Sequence, residues 1–169
     1  MPTYANITPQ ALKDGILYAN QVPLTSTEAD LYSGTTALDA LDPIPIAYNE
    51  AILAIVQMQP KGITGQENSY VVMQTDMGDG TWIDVAWCVY TDPAALGIFV
   101  LSGGIAGATS VQQTRQTGAQ PSSGGANQIT LGGRVRFVGK STLAGGSSSG
   151  PFGTAAIYAT IYYKLLGLR

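Results

Sequence analysis

The chain reads as an all-β protein, one β-sandwich domain over residues 1–169 with a jelly-roll layout, on three observations. From Ile16 onward apolar residues come in short runs or alternate with polar ones. Clusters of Gly, Pro, Asn, Asp and Ser punctuate the runs, as turns between strands require. About eight such segments can be delimited, the number a jelly roll needs. A chain of 169 residues also suits a single core, since proteins of this size bury roughly 70% of their unfolded surface.

Taken in order, Thr8 can cap a short helix with Pro9 at its first position, Gln10 to Asp14 as its body and Gly15 as its stop. Residues 1–15 are therefore a short helix or an irregular N-terminal arm. Strands are expected at Ile16–Val22, Ala29–Ser33, Ala51–Met58, Ser69–Thr75, Thr81–Tyr90, Gly97–Leu101, Gln128–Val138 and Thr154–Leu165. Ala51–Met58 is almost wholly apolar and open to a helical reading; its shortness and the nearby Pro60 favour a buried strand. Ser69–Tyr90 has the form of a hairpin, with Asp76-Met77-Gly78-Asp79-Gly80 able to supply the positive φ angles of a tight turn.

Alternation in the second arm places Ile83, Val85, Trp87 and Val89 on the core face, with Trp82, Asp84, Ala86, Cys88 and Tyr90 opposite. In the last strand, Ile157, Ala159, Ile161 and Tyr163 alternate with Tyr158, Thr160, Tyr162 and Lys164, and the second set is suited to meet another subunit. Fifteen of the 21 glycines follow Asp92, so the second half carries long Gly/Ser-rich loops. Ser110–Asn127 has no apolar run or period and reads as an extended surface loop or a linker.

Charge is distributed unevenly. All eleven acids lie between Asp14 and Asp92, and the last 77 residues hold six of the eight cations. Residues 1–92 thus carry −9 and the remainder +6. A folded sandwich can interleave the halves and cancel the split, or leave two poles for a partner.

Chemistry is restricted by what is missing. With no histidine, the commonest general base and metal ligand is lost. The single cysteine, Cys88, allows no internal disulfide or multi-cysteine zinc site, and without a histidine beside it reads as a packed small side chain. Gly139-Lys140-Ser141-Thr142 resembles the end of a phosphate-binding loop, but Arg134 stands where its first glycine belongs. Asp76, Asp79 and Asp84 are the densest carboxylates, yet Gly78 stands where an EF-hand has its second acidic ligand, a hairpin turn accounts for Asp79-Gly80, and Asp84 reads as a solvated strand residue. A glycosidase-type carboxylate pair follows no spacing rule in sequence and is left open. Neither an enzyme nor a cofactor is expected, and no metal.

Arg134 and Arg136 share one face of a strand with Lys140 just beyond, while Val135 and Phe137 point the other way. No stacking aromatics are expected to interleave with them on that face, so a solvated face or a protein interface is expected ahead of nucleic acid. No run of about 18 apolar residues occurs and the N-terminus lacks the plan of a secretion signal, so no membrane is expected. Arg115, Arg134, Arg136, Lys140, Tyr158 and Tyr162 are the candidate interface residues.

In texture, Gly132-Gly133-Arg134-Val135-Arg136-Phe137-Val138-Gly139-Lys140 and the ending Ile157 to Leu166 resemble structural proteins of tailed bacteriophage virions, the capsid decoration or cement proteins in particular. The resemblance covers residues 16–165 as a style, without a diagnostic motif. It implies a small β-rich module made in the host cytoplasm that trimerises, binds the capsid surface and bridges major capsid proteins. A carbohydrate-binding or host-recognition module of a phage tail, with Trp82, Tyr90 or loop tyrosines as sugar platforms, is the alternative, as is another head or tail component.

Overall fold

A computed structural model of the chain describes residues 15–33, 42–47, 50–61, 69–76, 78–91, 96–104, 124–126, 131–141 and 156–167. All regular structure among them is β: β1 (Ile16–Pro23), β2 (Ala29–Asp30), β3 (Ile44–Pro45), β4 (Glu50–Lys61), β5 (Ser69–Asp76), β6 (Trp82–Tyr90), β7 (Gly97–Gly103), β8 (Gly125–Ala126), β9 (Arg134–Ser141) and β10 (Ala156–Gly167). The expected N-terminal helix, most of Ser110–Asn127 and Arg115 lie outside the described residues.

Two antiparallel sheets form. Sheet A runs β1-β10-β4-β7, and sheet B runs β2-β9-β5-β6-β8 with β3 also on β9. The pairing is nested: β1 joins β10, the short β2 and β3 both join β9, β4 joins β7, and β5 joins β6. Neither sheet can form from the first half of the chain alone, because β10 separates β1 from β4 and β9 separates β5 from β2 and β3.

One core lies between the sheets. Sheet A supplies Ile52, Val56, Met58, Ile157 and Ile161, and sheet B supplies Val71, Met73, Val135 and Phe137. Ala51–Met58 is a strand, bonded to β10 on one side and β7 on the other. The strand continues through Pro60, beyond the last β7 pair at Met58 and Gly97, so the missing N–H is tolerated where β4 has lost one neighbour.

The hairpin forms as expected, with Gly78 and Gly80 at φ 100° and 86°. Asp76 Oδ1 accepts the amides of Gly78 at 2.8 Å and Gly80 at 3.2 Å. Asp79 accepts the Thr81 amide at 2.8 Å, which holds its carboxyl below the ordinary value. These acids organise the turn.

The face assignment of β6 needs correction. Met73 pairs with Ala86 and Gln74 with Asp84, leaving Val85 as an extra residue. Such a bulge shifts the alternation by one. Val85 is in the core as expected, but beyond it Ala86, Cys88 and Tyr90 turn inward. Trp87 and Val89 turn outward, where they pack on Tyr70, Val72 and Val138 in a second apolar cluster.

Tyr18 ties the sheets together. Its ring, fully buried in the main core, meets Phe137 edge-on at 5.1 Å and Tyr32 at 5.5 Å. Its hydroxyl lies 2.9 Å from Asp30 Oδ1 in β2 and 2.7 Å from Asp42 Oδ1 just before β3. A side chain of sheet A thereby holds both short pieces at the edge of sheet B. A phenol has one proton to donate, so two ionised acceptors on it compete. Burial raises the Asp42 carboxyl above its ordinary value; the Tyr18 hydrogen bond opposes this, the Asp30 charge adds to it, and the Arg136 charge opposes it.

Removing the hydroxyl with Tyr18→Phe is expected to lower unfolding free energy by about 1–2 kcal/mol in urea titration, because the ring packing stays and the carboxyls lose their donor. A change below the error of the titration would show that the clasp is idle. A carboxyl with a raised folded pKa stabilises fully below its unfolded pKa and loses that contribution as pH climbs through the folded value. Wild-type melting temperature is therefore expected to fall relative to Asp42→Asn as pH rises from about 3.5 to 7, whereas parallel curves would contradict this.

Candidate interaction surfaces

The outward side chains of β9, β5 and β6 form rungs across sheet B. Arg134, Asp76 and Trp82 make one; Arg136, Gln74 and Asp84 make the next. Arg134 pairs through Nη2 with Asp76 Oδ2, a carboxylate only 1% exposed beside a guanidinium 49% exposed. Arg136 Nε donates to Gln74 Oε1 at 3.0 Å, and Gln74 Nε2 donates to Asp84 Oδ1 at 2.8 Å. The Arg136 guanidinium lies 4.1 Å from the Trp82 ring centroid and that of Arg134 5.9 Å.

Two expectations are corrected here. An aromatic does accompany the arginines: Trp82 reaches them from β6, two strands away. Asp84, expected to be solvated, is buried and bonded to Gln74. Lys140 lies farther along the same face, in the rung of Tyr70 and Val89.

The network starts where Gly132 enters β9. Its amide donates to Thr75 Oγ1 at 2.8 Å, and that hydroxyl donates to the Arg134 carbonyl at 2.9 Å. Any Cβ at Gly132 would collide with the Asp76 carbonyl oxygen, so only glycine allows this approach. Gly139, Lys140 and Ser141 are strand residues paired with β5, and a phosphate-binding loop geometry is ruled out there.

Tyr158 and Tyr162 lie on the other sheet. They point away from the core on β10, as expected, with Lys61 Nζ 4.6 Å from the Tyr158 ring centroid. The described candidate interface residues therefore divide between the two outer faces of the sandwich. Sequence reasoning missed Leu17, Ile55 and Val100, which join Tyr162 in one apolar rung across all four strands of sheet A. Alternation in each strand carried that signal, but the order of the strands was needed to assemble it.

A cleft of about 610 Å³ lies between β6 and β7, with Trp87, Val89, Phe99 and Leu101 among its walls. Cys88 also borders it, but burial pushes its thiol up to about 12, so it holds no thiolate near neutral pH. Tyr90 is buried and cannot serve as a sugar platform. Among the described residues no group of three metal-ligating side chains converges.

No protein family, characterised protein or solved structure matches this chain.

The Arg136–Trp82 contact is expected to show a coupling of about 0.5–1 kcal/mol in a double-mutant cycle with Arg136→Ala and Trp82→Ala, read by chemical denaturation. Additive single effects would mean that the two side chains stand side by side without energetic consequence.

Proposed function

We propose that this chain is a non-enzymatic virion structural protein, a jelly-roll cement that binds the outside of a viral capsid and bridges its subunits. The observation that supports this most is the nested strand pairing. With β2 and β3 taken as two pieces of one strand position and β8 as an addition, eight positions pair first with eighth, second with seventh, third with sixth and fourth with fifth. Nested pairing of this kind supports a jelly-roll connectivity, an architecture found in capsid and lectin domains. A fold alone does not assign a function, and surface chemistry supports one branch over the other.

On the lectin side, Trp82 already carries Arg136 against its ring and Tyr90 is buried. On the cement side, the surface is poor in charge, with 11% charged residues against the roughly 25% usual in soluble domains. It offers broad uncharged area for contact. A protein that binds only the assembled shell stabilises that shell by linkage, and several weak footprints on one particle add up through avidity.

Quantitative mass spectrometry of purified particles tests the reading. The expected result is a copy number of the same order as the major capsid protein. Absence from particles, or a few copies as for a tail component, would overturn it.

A further inference from the structure

The outer face of sheet A carries an ordered pattern of side chains. Its central rung is Leu17, Tyr162, Ile55 and Val100, one side chain from each strand. Val100 is 64% exposed at the edge. One rung toward the start of β10 lie Thr160, Gln57 and Ile98; one rung toward its end lie Lys164, Leu53 and Ser102. Tyr158 and Leu166, the latter 39% exposed, stand at the two ends. Among the described residues this face holds Lys61 and Lys164 and no carboxylate.

We infer that this face packs against the same face of a second copy about a two-fold axis lying along the Leu17–Tyr162–Ile55–Val100 rung. Such an axis lays each strand over its own counterpart with reversed direction. Tyr162 then meets the partner's Tyr162 and Val100 the partner's Val100. Lys164 meets the partner's Thr160, beside the partner's Gln57, so the cation faces hydroxyl and amide oxygens instead of another lysine. Tyr158 covers the partner's Leu166. The pattern complements itself under one operation.

The area fits a reversible pair. Four strands about 4.8 Å apart and about eight residues long at 3.3 Å each give roughly 500 Å² per copy. The total of about 1,000 Å² sits at the lower limit for a specific interface. The symmetry differs from the cyclic trimer that the cement resemblance implies. It also stands without the shell-binding proposal, since it concerns the purified protein alone.

Light scattering and sedimentation over about 1–200 µM are expected to show mass rising from 17.6 kDa toward twice that value. Val100→Lys places two like charges together on the two-fold axis, at its β7 end, and is expected to weaken the pair at least ten-fold. Thr160→Glu puts a carboxylate opposite the partner's Lys164 and is expected to tighten it several-fold, a gain lost at high salt. Melting curves at a concentration where every variant is monomeric show that each folds, and if Val100→Lys does not, Thr160→Glu decides. A monomer throughout, a mass of three copies, a dimer indifferent to Val100→Lys, or no gain from Thr160→Glu overturns the inference.

Discussion

The fold depends on the insertion of two late strands between early ones. β10 pairs with β4 along twelve residues, from Ala156 opposite Lys61 to Gly167 opposite Glu50, and its other edge takes β1. β9 does the same in sheet B, between β5 and the short pieces β2 and β3. Without them β1, β2 and β3 have no lateral partner, β4 keeps only β7 and β5 only β6, and the apolar faces have no closed core. Both closures join residues far apart in sequence, so loop entropy must be overcome before the ladders reward it. The long β4–β10 ladder and the Tyr18 clasp on Asp30 and Asp42 are what the chain sets against that cost.

The same insertion accounts for the uneven charge. A chain that is acidic in its first half and basic in its second places Arg134 and Arg136 on a strand bonded directly to acidic-half β5. Arg134 finds Asp76 there, and Arg136 joins Gln74 and through it Asp84. A buried carboxylate such as Asp76 is costly without a partner and acceptable with one. In linear sequence the arginines resemble a basic patch; in space they close a neutralising network capped by Trp82. For Arg134 and Arg136 the asymmetry is therefore pairing between the two halves instead of an electrostatic address for an outside partner.

Much of this was legible in the sequence, for definite reasons. The period of β10 is regular, so Ile157 and Ile161 can be placed on one face before any partner is known, whereas Ala51–Met58, almost wholly apolar, reads as a strand without showing that Ile52 and Val56 are the side chains that face the core. The turn at Asp76 to Gly80 was readable because positive φ selects glycine. The face of β6 was half readable. Its bulge uses Val85, with no glycine to mark it, so the phase change that sends Trp87 outward and Tyr90 inward left no local trace. β3 and β8, two residues each, were too short to show any period. Trp82 beside Arg136 was hidden for another reason: they are 54 positions apart and meet only across the intervening β5.

The two outer faces now divide the work. Sheet B satisfies its exposed polar groups internally, through arginine, amide, carboxylate and indole, and its apolar side chains Tyr70, Val72 and Val138 are already buried. Sheet A leaves an uncharged rung of Leu17, Tyr162, Ile55 and Val100 facing outward. A continuous apolar row on a sheet is an association hazard unless something restricts how it can be covered. Lys164 on one side of the row and Thr160 with Gln57 on the other provide that restriction, because a cation accepts an oxygen opposite it and rejects another cation. A surface of this kind favours one register among many.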